Sequence, residues 1–200
     1  MTKKNSFINA SNITGIILII LLLPVMFGFL LTYHISFNSI FLFLFNIISY
    51  FIAHNGIYLI LIGFIIFSMF VKNKQALMVI KIITFLLMGM VLVYGLVYDI
   101  TFVISALDSG LKILFLEALN MIAAIVLRIC LMVYVINTIP NGQVSYICNT
   151  ILFISLALFT LLISLTTINE LSIYAIFRIV YLLLVLITRF VIALYFYFYK

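Results

Sequence analysis

Residues 76–98 read ALMVIKIITFLLMGMVLVYGLVY, 23 residues with one charge, Lys81. At a rise of 1.5 Å per residue such a run is about 35 Å long as a helix, enough to cross a hydrocarbon core of about 30 Å. Its apolar residues are consecutive rather than alternating, the pattern of a spanning helix and not of a barrel strand. The run is bracketed by Lys72-Asn73-Lys74 before it and Asp99 after it.

Working outward, comparable apolar runs extend from Ile13 to Tyr33, Gly56 to Val71, Leu111 to Asn137, Tyr146 to Thr166 and Leu171 to Tyr199. Ile139-Pro140-Asn141-Gly142 is a strong turn signal between the fourth and fifth. Thr167-Ile168-Asn169-Glu170 separates the last two. Pro24 removes a backbone donor within the first run and predicts a kink there. The start, with Lys3 and Lys4 before apolar residues, resembles a signal peptide. Its apolar stretch is too long and lacks a small-residue cleavage site, so it reads as an uncleaved first span.

Composition agrees. The 200 residues are 68% hydrophobic and 7% charged, with mean hydropathy +1.50. Soluble domains are about half apolar and about a quarter charged. The fold class is therefore an all-α integral membrane protein, one domain over residues 1–200, with about six transmembrane helices in a bundle.

The segment 34–55 is harder to place. As a helix it carries Ser39, Asn46, Tyr50 and His54 on a polar stripe, which suits an interfacial or re-entrant segment. The alternative is a seventh span. With six spans, Lys3, Lys4, Lys72, Lys74 and Lys200 fall on the cytoplasmic side and only Lys112 outside. With seven, the two sides balance. The positive-inside rule favours six, with both termini cytoplasmic. Asp99, Asp108 and Glu170 then lie outside.

The net charge of +6 is scattered, with no basic block to suit a nucleic acid. The informative charges are those that no loop claims, because a charge at the bilayer centre costs about 3 kcal/mol or more on insertion scales. Counting along the helices puts Glu117 and Arg178 each about 10 Å outward of the midplane. The same count puts Arg128 and Arg189 about 6 Å inward, and Lys81 about 8 Å inward. Glu117 and Arg178 are thus candidates for an ion pair between the fourth and sixth spans. Lys81, Arg128 and Arg189 form an inner basic layer without an acid of this chain at that level. Its expected partners are phospholipid phosphates, an anionic solute or a carboxylate from a neighbouring subunit.

Other chemistry finds little support. His34 and His54 lack the spacing of a zinc site and lie on one segment, which argues against a bis-histidine haem. No serine sits in a GxSxG setting, and the eight glycines form no phosphate-cradling motif. Cys130 and Cys148 read as packing residues. No metal or cofactor is expected. The aromatic cluster Tyr195–Tyr199 beside Lys200 reads as an interfacial anchor.

These features predict a non-catalytic subunit of a larger transport, secretion or respiratory complex in the bacterial cytoplasmic membrane, or alternatively in an organellar inner membrane. The competing expectation is a small-solute transporter, or its substrate-binding component, with an anion near Lys81, Arg128 and Arg189. A lipid-acting enzyme comes third, with Glu117 the one deep carboxylate available to it.

Overall fold

The computed structural model describes residues 2–32, 40–107, 113–138, 146–166, 168 and 173–199. Among them are six helices and no strand: α1 (Thr2–Thr32), α2 (Ile40–Phe70), α3 (Lys74–Leu107), α4 (Ile113–Asn137), α5 (Tyr146–Thr166) and α6 (Ile173–Tyr199). Each contains a stretch long and apolar enough to cross a membrane.

Local chemistry explains the boundary best described. α2 ends at Phe70, and Asn73 caps α3 by accepting the Gln75 N–H on its side-chain oxygen at 2.9 Å. That satisfies one of the amide donors a helix start leaves open. Within the helices, hydroxyls turn back on the preceding turn, as Thr14 does to Ala10 and Thr188 to Leu184. Ser and Thr can therefore sit in apolar helices without a partner on another helix.

Each helix packs on its neighbours in the chain, and α6 closes back on α1. The contacts run antiparallel around the ring. Phe27 lies by Phe51, and Tyr50 by Tyr98. Lys81 near the start of α3 donates to the Thr138 carbonyl just past α4, whereas Asp99 further along α3 meets Arg128 earlier in α4. Tyr146 reaches Ala193 and Thr160 reaches Arg189. Tyr181 donates to the Val25 carbonyl at 3.1 Å. The result is an up-down ring in which α1 begins and α6 finishes at one end, the terminal end.

The ring interior is filled at that end by aromatics. Tyr134 stacks on Phe196 with centroids 5.1 Å apart and planes 5° apart, Phe64 stacks on the same Phe196, and Phe153 meets Tyr134 edge-on. The Ser68 and Tyr195 hydroxyls share a hydrogen bond of 3.0 Å beside them. Outside, large apolar side chains stand bare: along α3 Val79, Ile82, Leu86, Met90, Val93 and Val97 form one exposed stripe. Bare apolar surface on this scale is what a hydrocarbon environment requires and water penalises.

Two boundaries differ from the sequence reading. A separate interfacial or re-entrant element is not seen among the described residues: 40–55 run on into the second apolar run as one helix, with an apolar window of span length at Ile47–Phe70. Residues 34–39 lie outside the described residues. The third apolar window of span length runs to Thr101, so Asp99 is not in a loop but inside a helix. Both shifts have one cause. His54, Asn55 and Asp99 look like span ends because they are polar, yet they face the interior, Asn55 lining the cavity there and His54 and Asp99 meeting Arg128 of α4.

Candidate functional site

Beyond the aromatic stack lies a cavity of about 250 Å³, walled by α2, α4, α5 and α6 with Val25 from α1. Its apolar walls include Leu127, Leu131, Leu161 and Leu186. Polar groups reach it from every one of the four helices: His54 and Asn55, Asn120 and Arg128, Thr160 and Ser164, Tyr181 and Arg189. Apolar walls with a few converging polar groups are the ordinary form of a small-molecule site, although most such sites are larger, about 300–1,000 Å³.

On α4 the lining residues Asn120, Ala124, Leu127, Arg128 and Leu131 recur at helical spacing, which gives that helix one face toward the cavity. Arg128 is buried, and its guanidinium is held on two sides. Nη1 meets the Asp99 carboxylate at 3.3 Å, and Nη2 donates to His54 Nδ1 at 2.9 Å. His54 Nε2 stands 3.8 Å from the second Asp99 oxygen, which has no hydrogen-bond partner. The His54 ring rests on Tyr50, centroids 4.2 Å apart, with Tyr98 edge-on to it at 5.7 Å.

Helical side chains lean toward the N-terminus of their own helix. Because α3 and α4 are antiparallel, Asp99 and Arg128 lean toward each other, so residues that a count of backbone levels separates can meet. This corrects the expectation that the basic layer has no acid of its own: Arg128 has Asp99. Lys81 does not join the cavity either. It bonds the Thr138 carbonyl and lies over the Tyr199 ring, 5.4 Å from its centroid, at the terminal end.

Arg189 is the other cavity arginine. Its Nη1 donates to Thr160 Oγ1 at 2.6 Å, and Thr160 in turn donates to the Ala157 carbonyl at 2.9 Å. Arg189 Nε is buried with no hydrogen-bond partner, and among the described residues no carboxylate forms an ion pair with it. The structure thus brings Arg128 and Arg189 to one cavity and leaves Lys81 out. Arg178, on α6, is exposed. The Glu117 side chain lies outside what is described, and so does its candidate pair with Arg178.

Two glycines shape the site. A Cβ at Gly95 would lie 2.6 Å from Arg128 Nη1 and 2.8 Å from the Ala53 carbonyl oxygen. At Gly28 it would fall on the Tyr181 ring. Sequence reasoning placed Asp99 outside and His54 on a polar stripe, and connected neither of them, nor Gly95, with Arg128. One signal was available: Gly95 and Asp99 are four apart, so a missing side chain and a carboxylate share one helix face. Among the described residues no cluster of His, Cys, Asp and Glu is arranged to hold a metal ion.

No protein family, curated protein or solved structure matches the chain.

Proposed function

We propose that this chain is a multi-pass membrane protein that binds a small organic anion within its helix ring, as a transporter or as the substrate-binding component of one. The observation that carries the reading is Arg189: a guanidinium in an apolar-walled cavity, tied to a single hydroxyl, with a buried N–H left over. A half-buried charge without a counter-charge, one of its N–H groups fully buried, is costly, so the cavity favours an anion. The arginines supply planar donor groups suited to a carboxylate or sulfonate, and the leucines and tyrosines suit an organic body. The cavity volume limits the occupant to a small molecule.

A subunit role is compatible with this, since a substrate-binding component is itself part of an assembly. The need for a carboxylate donated by a partner is reduced, because Arg128 and Lys81 find acceptors within the chain. The lysines at the terminal end, Lys72 and Lys74 among them, support a cytoplasmic placement of both termini in a bacterial inner membrane.

The test is thermal unfolding of the detergent-purified protein with benzoate, benzenesulfonate, acetate, sulfate and, as a cation control, benzylamine. Stabilisation by the aromatic anions, absent for benzylamine and lost in Arg189→Gln, is expected. Equal responses from wild type and Arg189→Gln would remove the assignment.

A further inference from the structure

The same cavity has a built site for a second ligand, the proton. We propose that His54 binds a proton and that this is coupled, through Arg128, to the binding of the organic anion; the inference rests on the anion reading given above.

A guanidinium has only donors, so His54 Nδ1 must accept from Arg128 Nη2. That fixes the neutral tautomer with its proton on Nε2, on the side of the unpartnered Asp99 oxygen 3.8 Å away. A proton arriving from the cavity at Nδ1 takes up the lone pair that Arg128 was using. The Nη2–Nδ1 hydrogen bond breaks, and two cations then face each other. The imidazolium keeps Nε2–H toward Asp99, and a small contraction gives the unpartnered carboxylate oxygen its donor. Arg128 is left with N–H groups free toward the cavity it lines, and the charge there has risen by one. An anion supplies the missing acceptor.

The groups around His54 support this assignment. Tyr50 lies one turn away on α2, Tyr98 and Asp99 come from α3, and Arg128 from α4. Tyr58, Tyr181 and Arg189 share the cavity. Asp99 is held by Arg128 and does not line the cavity, whereas His54 does both, touching Arg128 and facing the cavity. His54 is therefore the group through which a proton from the cavity acts on Arg128. Coupling of this kind is reciprocal: proton and anion raise each other's affinity by the same factor.

The experiment is calorimetric titration of the purified full chain with benzenesulfonate, whose sulfonate stays ionised, at about pH 4.5 and about pH 7.5, a window wide enough for an imidazole beside a guanidinium to change charge. Repeating it in buffers of different ionisation enthalpy counts the protons taken up. Binding should tighten by up to about tenfold per pH unit on the acid side, with up to about one proton taken up per anion. In His54→Gln the pH slope should vanish, whatever the absolute affinity. Affinity independent of pH and no proton uptake in the wild type would overturn the coupling and leave the anion site standing. A slope that persists in His54→Gln would overturn it too. If His54→Gln does not fold, the proton count on the wild type decides alone. No binding at either pH would remove the anion reading, and this inference with it.

Discussion

Gly95 on α3 leaves the space that the Arg128 guanidinium of α4 occupies. A methyl group there would sit 2.6 Å from Nη1 and 2.8 Å from the Ala53 carbonyl oxygen of α2. A side-chain end can yield, but a backbone carbonyl in a packed helix cannot without moving α2. Gly95→Ala should therefore destabilise by about 1–3 kcal/mol, the usual scale of overpacking. Thermal unfolding in detergent reads this; a midpoint equal to wild type would mean that α2 and α3 are not so close.

The Asp99–Arg128 pair makes a second prediction, because a buried charge is harmful mainly when its partner is missing. Asp99→Asn or Arg128→Gln alone should cost up to about 3–5 kcal/mol. The double variant should recover part of that loss. A double-mutant cycle reads the coupling, and strictly additive effects would contradict the 3.3 Å contact.

Tyr181 and Gly28 should behave as lock and notch. Tyr181→Phe loses one hydrogen bond to the Val25 carbonyl and should cost about 0.5–1.5 kcal/mol. Gly28→Ala drives a Cβ into the ring and should cost more. Adding Tyr181→Leu to Gly28→Ala should restore much of the stability. Failure of that rescue would show that Gly28 serves another purpose.

Phe196 is shared by the Tyr134 and Phe64 stacks and is 2% exposed. Phe196→Ala should cost about 3–5 kcal/mol, as for other large buried side chains cut to alanine. Phe177→Ala, on the exposed face of the same helix, should cost much less in detergent. Comparable losses at both positions would argue against the aromatic stack as the packed end of the ring.

The helices were legible because uninterrupted apolar runs have one economical explanation, a length of helix in hydrocarbon. Their ends were less so. His54, Asn55 and Asp99 read as places where the chain leaves the membrane, since a polar residue in a linear sequence has no visible partner. In the fold, the partner of His54 is 74 residues away and that of Asp99 is 29. Arg128 and Arg189 could be singled out as costly in an apolar run, and both line the cavity. Lys81 drew the same attention, yet its long side chain reaches a free carbonyl at the end of α4. Telling these cases apart takes knowledge of which helix stands opposite.

The closure of α6 on α1 also sets an order of assembly. α1 is made well before α6, yet the two meet, through Val25 with Tyr181 and Gly15 with Tyr195. Until α6 is in place the cavity lacks Arg189 and one of its walls, and Thr160 has no guanidinium to accept. Five helices leave an open arc with Arg128 beside a gap. The cavity is thus closed only once α6 has followed the five helices before it, and a product that stops short of α6 would lack the wall from Tyr181 to Arg189.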